Sequence, residues 1–223
     1  MQRSNGSIEI IPGVMAIPEG RRTRRDFLAI SGALATLAVV GCSDNNNGPS
    51  GTAVVTLPLQ NDTDILKFAL FLELLESDFY TKAVAGGTLT GGVATLATNV
   101  RDHENAHVAA LQAALGSAKF TAADVGFDFK DSLSTQDKFL ATAVTLEQTG
   151  VSAYLGALPS ITGCDLRTTA GSIYTIEGRH VAAFRAYANA QGGPVPAAFE
   201  TPQTPEEVVA AVTSTGFVTK GLG

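Results

Sequence analysis

Four long stretches rich in alanine, leucine and valine, separated by glycine, proline and polar turn residues, set the layout of this chain. The first starts at Asn61 or Asp62, either of which can cap a helix, and runs to Ala85 before Gly86-Gly87. The second follows Gly91-Gly92 and ends at Gly116. So short a connection predicts an antiparallel helical pair. From Ser117 to Leu133 the composition changes to a mixed segment, long enough to traverse a bundle and start the third helix at its other end. Ser134 and Asp137 read as the cap of that third helix, which runs to about Leu158 and stops at Pro159. The fourth starts near Asp165 and ends before Gly192-Gly193-Pro194. Behind it, Thr204-Pro205-Glu206-Glu207 reads as cap, first-turn proline and capping-box glutamate of a short helix to about Thr215. The tail that carries it is expected to pack on the bundle through Phe199 and Phe217. The pattern gives one domain, all-α, over residues 61–191, with a C-terminal tail over 192–223.

Polar residues inside the helical stretches are few, and their spacing repeats. Residues 61–191 hold five glutamates, and four of them form a register: Glu73 precedes Glu104 by 31 positions, and Glu147 precedes Glu177 by 30. Glu104 and Glu177 each open a Glu-x-x-His motif, closed by His107 and His180. Three positions on a helix leave side chains about 60° apart and one turn along, so each Glu and His point the same way. Tyr80 follows Glu73 by seven positions and Tyr154 follows Glu147 by seven, nearly the same face two turns on. Glu76, the fifth glutamate, falls opposite Gly150 in the repeat and is assigned as a neighbour of the site. His103 lies four before His107, but its repeat equivalent is Ile176, so it is not assigned as a ligand.

Four buried carboxylates and two imidazoles need compensation. Arg101 sits three residues before Glu104 on a similar face, but one arginine cannot balance four glutamates. Two divalent ions can. The predicted metal ligands are therefore Glu73, Glu104, His107, Glu147, Glu177 and His180, with Tyr80 and Tyr154 as hydrogen-bond partners of the carboxylates. A donor set of carboxylate and imidazole without thiolate favours Fe or Mn over Zn and Cu.

This pattern resembles the ferritin-like di-iron carboxylate superfamily, whose bundles take one Glu from each of two helices and a Glu-x-x-His from each of the other two. The stretches FALFLELLESDFY, RDHENAHVAAL, LEQTGVSAYLGA and SIYTIEGRHVAAFRA further resemble its branch of exported bacterial ferritin-like and plant desiccation-related proteins. The resemblance implies a ferritin-like four-helix bundle with a long crossover between its second and third helices. It also implies redox chemistry on dioxygen or peroxide, as a ferroxidase, peroxidase or catalase-like enzyme. A non-enzymatic, desiccation- or stress-related envelope protein with a structural or vestigial metal site is the alternative, and assembly into a homo-oligomer is compatible with either. A rubrerythrin-type electron relay needs four cysteines, and this chain has one, Cys164, beyond Cys42.

Ahead of the helices, residues 1–42 read as an export signal. Basic residues precede an apolar run from Leu28 to Val40, too short for a confident membrane span. TRRDFLA resembles the twin-arginine signal with Arg24 and Arg25 as its pair, and Val39-Val40-Gly41-Cys42 resembles a lipobox that leaves Cys42 as a lipid-bearing N-terminus. An ordinary secretory signal with an incidental cysteine is the other reading of Cys42. Residues 43–60 begin SDNNNGPSG, the composition of a flexible tether. The expected location is the cell envelope or periplasm of a bacterium, with a lipid anchor in the membrane. Residues 1–41 carry five arginines and three acids; without them the chain keeps 10 basic and 18 acidic residues, a net charge of −8. So acidic a surface argues against nucleic-acid binding.

Overall fold

The computed structural model describes residues 59–221. Arg24, Arg25, Cys42 and the tether up to residue 58 lie outside the described residues. Helix α1 is Asp62–Gly86, capped by Asn61, whose side chain accepts from the Asp64 amide at 3.0 Å. Helix α2 is Gly91–Leu115 and packs along α1. Helix α3 is Gln136–Ala157 and helix α4 is Cys164–Tyr187, again packed along each other, with a 3₁₀ turn at Leu158–Ser160 carrying Pro159 between them. The fold is thus an all-α four-helix bundle made of two hairpins. No helix among the described residues is long and apolar enough to cross a membrane.

The long crossover joins the hairpins and is less bare than its sequence suggests. It holds a 3₁₀ turn at Gly116–Ala118 and a two-residue strand β1, Gly126–Phe127, that pairs antiparallel with β2, Val218–Lys220, from the end of the chain. Phe129 then inserts edge-on against Phe79 and Phe217, with ring centroids 5.1 and 5.3 Å away. Phe79 in turn stacks on Phe139, and Tyr80 on Phe184, both pairs with rings 7° from parallel. One continuous aromatic layer therefore links α1, the crossover, α3, α4 and the tail.

Two local expectations are corrected. The cap of α3 is Thr135, whose hydroxyl accepts from the Lys138 amide at 3.3 Å. Ser134 lies outside the helix, in a turn closed by its own amide on the Asp131 carbonyl at 3.0 Å, so it cannot cap. In the tail, Phe217 is buried as expected, but Phe199 is 81 % exposed. The tail packs on α3 through helix α5, Pro205–Ser214, whose Val208 and Val212 lie four apart and are both buried. Thr204 and Glu207 form the expected capping box at the start of α5, at 3.3 and 2.7 Å. The stretch holding Phe199 is left outside.

Backbone as well as side chain joins the tail to the bundle. The Gln203 amide donates to the Ser152 carbonyl at 3.0 Å, and a β-carbon added to Gly156 would stand 2.0 Å from the Gln203 carbonyl oxygen. Only glycine fits there. Gly156→Ala is expected to lower stability by about 1–3 kcal/mol through overpacking. Gly171→Ala on α4, with nothing within 4 Å of the new carbon, is expected to be neutral or to stabilise by up to about 1 kcal/mol through helix propensity. Urea denaturation of the two variants beside the parent checks both, and equal losses would mean that the Gly156 contact yields at no cost.

Candidate metal centre

The four helices bring six chemically distinctive side chains to one point at the middle of the bundle. Glu73 comes from α1, Glu104 and His107 from α2, Glu147 from α3, Glu177 and His180 from α4. The four carboxylates are fully buried, with His107 and His180 at 9 % and 4 % exposure. They fall into two groups of ligand atoms, each mutually within 4.8 Å: Glu73, Glu104, His107 and Glu177, and Glu104, Glu147, Glu177 and His180. Each group can hold a metal ion. Glu104 and Glu177 belong to both, which is the arrangement of bridging carboxylates.

The geometry around the two imidazoles argues for ions rather than for hydrogen bonds alone. His107 Nδ1 lies 3.1 Å from Glu73 Oε2, 3.1 Å from Glu104 Oε2 and 3.2 Å from Glu177 Oε1. His180 Nδ1 lies 3.1 Å from both Glu104 Oε1 and Glu147 Oε2. One nitrogen carries at most one proton and can donate well to only one of several surrounding oxygens. Metal bonds of about 2.1 Å at right angles, by contrast, put neighbouring ligand atoms about 3.0 Å apart. Glu104 Oε1 and both oxygens of Glu177 are buried without a properly aligned hydrogen bond, so lone pairs remain to be used.

The tyrosines hold the outer carboxylates by exchange between halves. Tyr80, on the helix of Glu73, donates to Glu147 Oε1; Tyr154, on the helix of Glu147, donates to Glu73 Oε1 at 2.6 Å. Seven residues is about 10 Å along a helix, too far for a tyrosine to serve the glutamate of its own helix. Two antiparallel helices place it beside the glutamate of the other. In each glutamate the second oxygen, Oε2, is left facing a histidine Nδ1. Arg101 does not take part: it pairs with its neighbour Asp102 at 2.7 Å on the surface. Among the described residues, the ion pairs of Glu73, Glu104, Glu147 and Glu177 are with His107 and His180.

Without ions, protons must offset this charge. Burial pushes the Glu177 carboxyl well above the usual range, and Glu104 and Glu147 add to the effect. Burial also raises Glu104, to about 7, against the pull of His107 and His180. For the imidazoles burial works toward neutrality but loses to the carboxylates: Glu104, Glu177 and Glu73 carry His107 to about 12, and Glu104 and Glu147 carry His180 to about 9. Glu73 moves the other way, since its contacts with His107, Glu104 and Tyr154 outweigh burial. Tyr80 and Tyr154 are held well above the ordinary phenol by burial and then by the glutamates they face, so both stay donors at neutral pH.

Two more residues reach the cluster. His103 was not assigned as a ligand, and it is not in either ligand group. It meets the site from behind: its Nδ1 is 2.9 Å from His180 Nε2, with the rings stacked at 5.2 Å. When His180 gives Nδ1 to an ion, its proton sits on Nε2 and can be donated to His103, which orients the ring. The spacing of four from His107 was the signal, but the partner lies 77 residues away on α4. Glu76 is the other, 3 % exposed beside the four glutamates.

Comparison with known proteins agrees with this geometry. The family profile described as ferritin-like domain matches residues 61–190. Among curated proteins no match is found.

The electrostatics give a pH test. Glu104 and His180 have folded values of about 7 and about 9, above their ordinary 4.5 and 6.5. Raised folded values stabilise fully below the unfolded value, and that contribution is lost as pH rises through the folded one. The metal-free protein should therefore lose stability at this cluster from pH 5 to about 9, whereas ions, which displace these protons, bind more tightly as pH rises. The gain in melting temperature on adding Mn(II) should be larger at pH 8 than at pH 6. A gain that shrinks at pH 8 would mean that the ions bind elsewhere.

Proposed function

The chain belongs to the ferritin-like domain family, and from that premise we propose that it is an exported di-metal protein acting on dioxygen or peroxide, as a ferroxidase, peroxidase or catalase-like enzyme. Glu73, Glu104 and His107 with Glu177 would hold one ion, and Glu147, Glu177 and His180 with Glu104 the other. The observation that carries the reading is His107 Nδ1 ringed by three carboxylate oxygens at 3.1–3.2 Å, more acceptors than its proton can serve. Fe or Mn suits the donors, and a bound pair of such ions supplies the electrons that reduce an oxygen–oxygen bond.

The chain's own residues do the rest. Glu104 and Glu177 fix the separation of the two positions, because each reaches both. Tyr80 and Tyr154 fix the direction of Glu147 and Glu73 by holding one oxygen of each, and their retained protons keep them neutral in a crowded anionic site. His103 does the same for His180. Phe71, Phe79, Phe139 and Phe184, all fully buried, keep bulk water away. A small apolar hollow is lined by Leu66, Ala69, Leu72, Ala153 and Tyr154, the last of which donates to Glu73. On this reading the protein belongs to the exported and desiccation-related branch, crosses the membrane by its Arg24-Arg25 signal and is tethered through a lipid on Cys42.

Metal analysis of the protein from its native envelope, followed by dioxygen and peroxide turnover on the same sample, tests the activity. Two ions per chain with turnover is the expected result; two ions with no turnover would favour the stress-related structural role. Glu73→Gln should sharply reduce metal stoichiometry or affinity in an Fe(II) or Mn(II) titration, since it removes a ligand charge. For location, Cys42→Ala should release the processed protein from the membrane, and retention of that variant would refute the anchor.

A further inference from the structure

The two halves differ behind their histidines. His180 Nε2, on the side of the ring turned away from the carboxylates, is 2.9 Å from His103 Nδ1, and the two rings stack 12° from parallel with centroids 5.2 Å apart. His107 has no such backing. His103 stands one turn before His107 on α2, but one turn before His180 on α4 the residue is Ile176, whose side chain neither donates nor accepts. Among the described residues, the hydrogen bonds of His107 all run through Nδ1. His103 itself is exposed while His180 is 4 % exposed, so the pair links the buried centre to the surface of α2. Covering His180 would need only a flat or bulky side chain; an imidazole adds a nitrogen at the right place.

An imidazole that gives Nδ1 to a cation carries its one proton on Nε2. In His180 that proton meets the lone pair of His103 Nδ1, whereas in His107 no acceptor among the described residues takes it. An accepted Nε2–H fixes the tautomer and direction of the ring and makes Nδ1 the stronger donor to a metal. Resting on the di-metal reading, we propose that His103 is a positioning residue for His180 that makes the ion position of Glu104, Glu147, Glu177 and His180 the tighter of the two, and the first to fill. The ligands themselves are matched, with three carboxylates and one imidazole in each group and one tyrosine on each outer glutamate. Ligand count therefore gives neither position an advantage; the hydrogen bond behind His180 supplies one.

Co(II) titration of the full chain at pH 8, followed by calorimetry and by the visible absorption of the bound ion, tests this without any assay of activity. The parent should bind two ions in two resolved steps, and His180→Gln should remove the tighter one. His103→Phe keeps a ring to stack on His180 but has no acceptor; it should weaken that same step by about 10- to 100-fold, leave the other within about threefold, and shift the absorption of the first ion bound. His103→Gln gives up the ring but keeps an acceptor oxygen, and should recover most of the lost affinity. Circular dichroism of the metal-free variants checks that all are folded. Parental binding by His103→Phe would overturn the proposal, and so would a loss confined to the weaker step. Equal losses in His103→Phe and His103→Gln would mean that stacking, not the hydrogen bond, supports His180. Two indistinguishable steps in the parent would leave the di-metal reading standing and overturn the ranking of the positions, whereas a parent that binds no Co(II) would overturn both.

Discussion

Burying carboxylate is the constraint on which this structure turns. Glu73, Glu104, Glu147 and Glu177 are fully removed from solvent in the middle of an aromatic and aliphatic core, and Glu76 nearly so. An isolated carboxylate in such a place costs several kcal/mol even after relaxation, and a cluster adds mutual repulsion. Against that cost the bundle contributes two histidines and two tyrosine hydroxyls, and among the described residues no lysine or arginine pairs with these carboxylates. Everything about the arrangement that looks uneconomical for a metal-free core, including the unserved oxygens of Glu177 and the oxygens crowded about each histidine, becomes ordinary once cations are supplied.

Duplication explains how one short sequence positions so many groups. Each hairpin offers a lone glutamate, a tyrosine and a Glu-x-x-His pair, and neither hairpin can use its own tyrosine on its own glutamate. Antiparallel packing of α1 on α3 turns this into a reciprocal exchange, so the halves orient each other's glutamates. The crossover and the tail then secure the halves from outside, through Phe129 and Phe217 against Phe79 and through the strand pair of Gly126–Phe127 with Val218–Lys220.

Much of this was legible in the sequence because it rests on periodicity. Four helices, the short and long connections and the six residues that converge all follow from helical spacing and from one register repeated after some 74 positions, as Glu73 to Glu147 and Tyr80 to Tyr154. What periodicity does not carry was not legible. The contact of His103 with His180 is made between helices 77 positions apart and has no counterpart in the other half. Phe199 is apolar and was expected to pack on the bundle, but it is exposed, and Val208 and Val212, four apart on one helix, are buried instead. The cap at Thr135 rather than Ser134 depends on a turn with Asp131 that only the backbone reveals. Strands of two and three residues leave no pattern at all.

The shared ligands have a mechanical meaning as well. Each group of four draws on both hairpins: three residues of the first with Glu177 of the second, and three of the second with Glu104 of the first. Each hairpin rests on local contacts and suits rapid, early formation, whereas the centre exists only after the two have docked. An ion seated there ties α2 to α4 across more than seventy residues of chain, as a staple would. Separating the halves then requires breaking coordination bonds before any apolar surface is exposed, so loading should slow the opening of the bundle far more than it speeds its assembly.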